Sequence, residues 1–301
     1  MSKRWVAIQR NPRSGSGQRR ALLLELIACL RGHGLRPRIF SRRERLQDYL
    51  KNPDRRASLV GIVAAGGDGT AGDVINRYPG IPVAVLPLGT ENLLARYLGI
   101  KRSGRFVADM IAAGHTRLID LGLAGDRRFS LMASYGFDAD ILQRTHARRT
   151  GHITKLSYLQ PILISLRKYE YPEMRVYLDG VDAPIACRVA VITNLPIYGF
   201  GLNFARSARG DDGRLDVCLF QRHSAFQMVR YLYMVARGKH EQLSDVICAQ
   251  AQRVRIESDQ PVPAQIDGDP AGSTPVEISI EPGACELFVP PEELTRSKSA
   301  R

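Results

Sequence analysis

The run Leu59 to Ala65, followed by Gly66-Gly67-Asp68-Gly69-Thr70, constrains this chain more than any other segment. The apolar run reads as a buried strand, and a helix-like segment follows the glycines. Glycines let backbone N–H groups approach an anion with no Cβ in the way. The N-terminal end of the next helix adds positive potential. Asp68 places a negative charge where phosphates would otherwise stand unopposed, which makes sense if a divalent metal lies between them. The loop therefore suits a metal-bound nucleotide triphosphate. A tight strand-to-helix turn, with Asp68 as a helix cap, is the plainer reading of the same residues.

The pattern recurs. Val83-Ala84-Val85-Leu86 precedes Pro87-Leu88-Gly89-Thr90-Glu91-Asn92, and Ile8-Gln9-Arg10 precedes Asn11-Pro12-Arg13-Ser14-Gly15. In a doubly wound sheet such strand ends share one edge, where ligands bind. Strands are expected near 4–9, 35–40, 59–65 and 83–87, and helices near 18–32, 43–51, 70–77, 91–98 and 103–113. Alternation of this kind implies an α/β fold with a mostly parallel sheet. Beyond about residue 115, short strand-like runs take over: 117–123, 128–134, 174–179, 185–193, 214–221, 246–257, 262–266 and 275–280. Two helical segments, about 153–169 and 224–237, interrupt them. The expected organisation is a nucleotide-binding α/β domain over 1–125 and a β-rich C-terminal domain over 126–301, its last strands free to return toward the first domain.

Of the 301 residues, 44% are hydrophobic, enough for a full core, and no stretch approaches the roughly 18–20 continuous apolar residues of a membrane span. No apolar signal core follows the basic N-terminus, so a cytoplasmic protein is expected. Cys29, Cys187, Cys218, Cys248 and Cys285 are scattered singly, with neither disulfide density nor metal-ligand spacing. The histidines show no metal spacing. A net charge of +13 points to an anionic partner. Aromatic residues make up only 7%, and no basic stripe interleaves with them, so an anionic membrane surface is preferred over nucleic acid. Arg144, His146, Arg148, Arg149, His152 and Lys155, ahead of apolar Ile162 to Leu166, form either a headgroup contact or a solvated charge run. A homodimer is compatible with the sequence.

Six ordered motifs together resemble the diacylglycerol kinase catalytic domain family, which includes bacterial soluble lipid kinases, sphingosine kinases and ceramide kinases. They are Asn11 to Gly15, Gly66 to Thr70, Pro87 to Arg96, Ile119-Asp120-Leu121-Gly122, Asp211 to Val217, and Gln265-Ile266-Asp267-Gly268-Asp269. The resemblance implies a kinase using ATP and Mg²⁺ on the hydroxyl of a membrane lipid at the inner face of the membrane, with ATP between the domains. Asn11, Pro12, Arg13, Ser14, Gly15, Gly66, Gly67, Gly69, Thr70, Thr90 and Asn92 would then surround the nucleotide, with Ser41 at adenine or ribose. Asp68 would hold the metal and Asp120 would support it through water. Asp269 stands where the family has a glutamate base, with Asp267 able to share its work; an Asp-Gly hairpin turn is the rival reading. A structural Mg²⁺ would be held by the Asp212 side chain and the carbonyls of Arg209 and Arg214.

The match has gaps. Leu93 replaces an aspartate, Gly72-Asp73 replaces Asn-Glu, and Ser16 replaces a lysine. Two other readings stay open: a NAD kinase sharing the Gly-Gly-Asp-Gly motif, and a catalytically silent nucleotide- or lipid-binding regulator.

Overall fold

The computed structural model describes residues 4–10, 17–147 and 158–291. The chain divides into two compact units, Met1–Ile119 with Gly283–Arg301, and Asp120–Pro282.

The first unit runs β1 (Trp5–Arg10), α1 (Gly17–Gly32), β2 (Arg36–Phe40), α2 (Arg43–Leu50), α3 (Pro53–Ala57), β3 (Leu59–Gly66), α4 (Asp68–Arg77), β4 (Val83–Pro87), α5 (Leu93–Tyr97) and α6 (Gly104–Ala113). The strands lie in the order β2-β1-β3-β4, all parallel, as the alternating pattern predicts. The apolar runs of β1, β3 and β4 are buried along both faces: Val6, Ile8, Ile62, Val63 and Leu86 are inaccessible to solvent or nearly so, while edge strand β2 buries only Phe40. α1 packs on α6 at close range, since a Cβ on Gly104 would lie 2.2 Å from the Leu22 carbonyl oxygen. Glu25 on α1 accepts the Gly104 N–H at 2.7 Å, which satisfies one of the free donors at the start of α6. Burial of Leu26 and Leu30 on α1 contributes about 1.5–3 kcal/mol each.

The chain leaves this unit within β5 (Thr116–Ala124), between Ile119 and Asp120 and a few residues before the expected 125. The second unit continues with β6 (Arg127–Phe129), β7 (Met132–Tyr135), α7 (Phe137–Ala147), α8 (Leu159–Lys168), β8 (Met174–Leu178), β9 (Ile185–Cys187), β10 (Val189–Thr193), β11 (Leu215–Phe220), α9 (Ala225–Ala236), β12 (Val246–Ala251), β13 (Arg253–Ser258), β14 (Pro263–Ile266), β15 (Asp269–Ser273) and β16 (Val276–Phe288). β12-β11-β10-β7-β14-β15 form one antiparallel sheet, and β13, flanked by β8 and the start of β16, centres another. Their inner faces share one core that includes Val176, Val254 and Ile278 from one sheet and Tyr135, Ile192, Val217 and Ile266 from the other. This is a β-sandwich. The end of β16 belongs to the first unit, where Leu287 pairs in parallel with Val83 of β4.

Three expected strands prove to be two each. Residues 185–193 break at Arg188 and 246–257 break at Gln252, and in both cases the halves lie in different sheets. The corner at 252 is held by Asp179, whose Oδ1 accepts the N–H groups of Gln252 and Arg253, both at 2.8 Å. A continuous apolar run cannot show such a corner, because both halves bury the same kinds of side chain. The expected 128–134 strand likewise divides at Ser130-Leu131. Helix α7 was not expected; Asp138 and Asp140 in its first turn are its sequence signal.

Candidate active site

The β1/β3 boundary is where the order of the parallel strands reverses: the chain moves one way from β1 to β2 and the other way from β3 to β4. The crevice outside the strand ends at such a point is the usual ligand position in open α/β sheets. The β3 end carries Gly66 to Thr70. The loop after β1, with Asn11, Pro12, Arg13, Ser14 and Gly15, lies outside the described residues. At its entrance Gln9 is buried, and its Oε1 has no hydrogen-bond partner among the described residues.

Two glycine loops meet backbone to backbone here. A Cβ on Gly89 would lie 2.6 Å from Gly67 Cα and 2.7 Å from Asn92 Oδ1. Leu88 N–H donates to the Gly66 carbonyl at 2.8 Å, which closes the contact. Asn92 adopts the left-handed region (φ 48°) and grips Gly89 from both sides, accepting its N–H at 2.7 Å and donating to its carbonyl at 2.9 Å. Thr70 is buried and folds back over Gly66, where any Cβ would collide with its hydroxyl. Gly69 and Thr90 stay exposed at the rim.

Asp68 opens α4, yet it does not cap that helix. Its Oδ1 accepts the Leu94 N–H of α5 at 3.1 Å, and the Leu93 N–H also bonds this carboxylate. The side chain thus ties one glycine loop to the start of the next helix, a longer-range version of the capping reading. Desolvation raises its pKa above the ordinary 3.8; the N–H donors of Leu93 and Leu94 oppose that, and the charge of Glu91 adds to it. Leu93, where the resembling family has an aspartate, is buried and contributes its N–H. A carboxylate with no ion pair among the described residues, beside glycine backbone that no Cβ could share, fits a hard cation with phosphate. Ser41, directly after β2, lines a cleft with Arg38, Arg42, Arg45 and Tyr49. Those guanidinium groups give the cleft a cationic wall suited to a phosphorylated or electron-rich ligand.

In the second unit the turn between β14 and β15 is Asp267-Gly268, with φ of 48° and 86°. Positive φ at both central residues defines the tight hairpin that Asp-Gly favours. The Asp267 carboxylate is consumed. Oδ1 accepts the Leu131 and Met132 N–H groups and Oδ2 accepts the N–H and hydroxyl of Ser130, all between 2.9 and 3.2 Å. Four donors fill the lone pairs of a carboxylate, so Asp267 has none with which to share proton abstraction. Its geometry makes it a brace between the hairpin and β7, and it corrects the expectation that it assists Asp269. Asp269 begins β15 with its side chain 47% exposed, beside Arg127 at 3.3 Å.

Asp120 is buried, and its Oδ2 accepts the Gly213 N–H at 2.8 Å while its own N–H donates to the Gly210 carbonyl at 2.7 Å. It therefore holds the loop that carries Arg209, Asp212 and Arg214. Within that loop Asp212 Oδ1 accepts the Arg214 N–H at 3.0 Å, an Asx-type turn. Asn194, inaccessible to solvent, donates to the carbonyls of both Asp120 and Ser130, at 2.8 and 2.9 Å. It links Asp120 to the residue that anchors Asp267. Nothing local marked Asn194 or Arg127 in the sequence; both act through strand pairing.

The description "Diacylglycerol kinase catalytic domain" matches residues 6–124, and "YegS C-terminal NAD kinase beta sandwich-like domain" matches residues 132–289. A protein named diacylglycerol kinase from Mycobacterium tuberculosis is 30% identical over 238 residues, 76% of this chain and 76% of that protein. One of the same name from Bacillus subtilis is 27% identical over 224 residues, 72% of this chain and 73% of its own length. The crystal structure of a diacylglycerol kinase from Bacillus anthracis superposes with a TM-score of 0.74 at 20% identity, covering 97% of this chain and 98% of the other. With both halves of the chain matched in order, this protein belongs to the diacylglycerol kinase catalytic domain family.

Proposed function

We propose that the protein is an ATP-dependent lipid kinase that transfers the terminal phosphoryl group of ATP to the hydroxyl of a diacylglycerol-like, ceramide-like or sphingoid lipid. The observation that carries this reading is the Asp68 carboxylate held between the two glycine loops. In this reading Gly66, Gly67, Gly69, Thr70 and Thr90 present backbone and hydroxyl donors to the phosphates, with Asn92 fixing the second loop and Ser41 meeting the nucleoside. Asp68 holds Mg²⁺, which when bound offsets charge on the transferring phosphoryl group. Asp269 accepts the proton of the acceptor hydroxyl, and Arg127 orients it. Asp120 keeps the 209–214 loop in shape for a structural Mg²⁺ on Asp212 and the Arg209 and Arg214 carbonyls.

The acceptor reaches the enzyme from a bilayer. No helix among the described residues is long and apolar enough to cross one. Helix α9 instead exposes Phe226 (74%), Val229 (55%), Leu232 (50%) and Tyr233 (59%), an unusual apolar stripe for a solvent-facing helix. Arg222, Arg230, Arg237 and Lys239 flank it. A cationic rim around an apolar stripe suits shallow insertion among anionic headgroups at the cytoplasmic face. Most of the basic run expected to serve this purpose, Arg148 to Lys155, lies outside the described residues.

The test is incubation with labelled ATP, Mg²⁺ and a panel of lipids in mixed micelles, with NAD as a separate arm. A labelled phospholipid product supports the reading. Label in NADP alone would replace it with the NAD kinase alternative, and no transfer to any acceptor, with nucleotide still bound, would leave a regulator.

A further inference from the structure

Strand pairing sets Cys218 of β11 directly opposite Cys248 of β12, with their Sγ atoms 3.2 Å apart. A ring nitrogen of His240, from the 3₁₀ turn His240–Gln242, lies with both sulfurs inside a 4.8 Å cluster. His240 is 1% exposed and packs against Phe204 and Phe220. Its Nε2 is 2.9 Å from the Phe204 carbonyl oxygen. A carbonyl only accepts, so Nε2 carries a proton, and in the neutral imidazole Nδ1 carries a bare lone pair. That Nδ1 is buried and has no hydrogen-bond partner among the described residues. A metal-binding imidazole is commonly fixed by this same device, its far nitrogen donating to a backbone carbonyl.

We propose that Cys218, Cys248 and Nδ1 of His240 form a site for a thiophilic divalent cation of the Zn²⁺ class. Zn–S bonds of about 2.3 Å in a tetrahedron set the sulfurs about 3.8 Å apart, so the pair need open only slightly. A disulfide would draw them to about 2.05 Å and leave the imidazole nitrogen unsatisfied. Both thiols lose their protons to solvent as the ion binds, so the two thiolates balance its charge. Cys248 is exposed, which leaves the fourth position to water or an outside ligand. Sulfur ligands exclude Mg²⁺ in favour of softer ions, so this site is separate in chemistry from the oxygen donors around Asp68. The cation would fasten β12, the edge strand of its sheet, to the turn at 240.

Co²⁺ and then Zn²⁺ titrated into the reduced, metal-stripped full chain, with excess Mg²⁺ present, test this. The expected result is one equivalent taken up with a thiolate-to-cobalt charge-transfer band, displaced by Zn²⁺, and a Tm raised by Zn²⁺. Cys248→Ser, at an exposed position that does not endanger folding, should lower affinity about ten-fold or more and remove the Tm rise. Asp68→Asn should leave uptake unchanged. Uptake equal in parent and Cys248→Ser, absence of the charge-transfer band, or a Cys218–Cys248 disulfide in protein purified without oxidant would overturn the proposal.

Discussion

Asp68 and Asp267 are both half-buried carboxylates beside a glycine, and desolvation raises the pKa of each above 3.8. Their surroundings nevertheless assign them different work. Asp267 answers four donors from three consecutive residues of its own sandwich. Asp68 sits beside the contact of two glycine loops, and its donors come from the start of α5. A carboxylate whose acceptors are all spent on its own fold stabilises that fold. One fixed beside two glycine loops meets a cation in the proposed function. The type of residue and the neighbouring glycine are alike in both; the number of donors that reach the oxygens separates them.

Removing each carboxylate in turn should break the comparison open. Asp267→Ala leaves three N–H groups and a hydroxyl without an acceptor, and should cost about 3–5 kcal/mol of stability by urea denaturation. A cost below about 1 kcal/mol would show that Asp267 is not a brace. Asp68→Asn keeps an acceptor for the α5 N–H groups and removes the charge. It should lower kcat/KM for lipid phosphorylation by about 10²–10³-fold, the scale of a lost charge-stabilising contact at a transition state.

The same variant sharpens the comparison through pH. With the folded pKa of Asp68 raised, its contribution to stability is complete below the unfolded value near 3.8 and is lost as pH rises through the folded value. Without metal or nucleotide, Asp68→Asn should therefore be at least as stable as the parent at pH 7, in contrast to Asp267→Ala. Asp269→Asn separates base from brace: about 10²-fold or more in kcat is expected, with stability changed by less than about 0.5 kcal/mol because the side chain is exposed.

Smaller effects probe the cradle and the surface. Gly89→Ala puts a methyl against Gly67 backbone and should cost about 1–3 kcal/mol while raising KM for ATP more than it alters kcat. Phe226→Ser with Val229→Ser should weaken binding to anionic vesicles by about 2 kcal/mol and leave activity on soluble short-chain lipid intact. Vesicle binding by the parent should weaken with salt, and binding indifferent to salt would remove the basic rim from the argument.

Much of the first unit was legible because its signals are local. A buried parallel strand is one apolar run, its turn is glycine and aspartate, and its helix repeats within a few residues, so the elements from β1 to α6, α3 excepted, follow from the sequence alone. The family motifs carried the same clarity into Asp120 and the 265–269 hairpin, and Asp-Gly at 267–268 specifies its turn through the positive φ that few other residues accept. What tertiary structure decided is everything set by register between distant strands: the sheet changes at Arg188 and Gln252, the four donors that take Asp267 out of proton transfer, the Asn194 link, and the pairing of two cysteines scattered thirty residues apart in the chain. Those contacts join residues whose spacing along the sequence carries no period, and the energy that selects them comes from closing two sheets over one core.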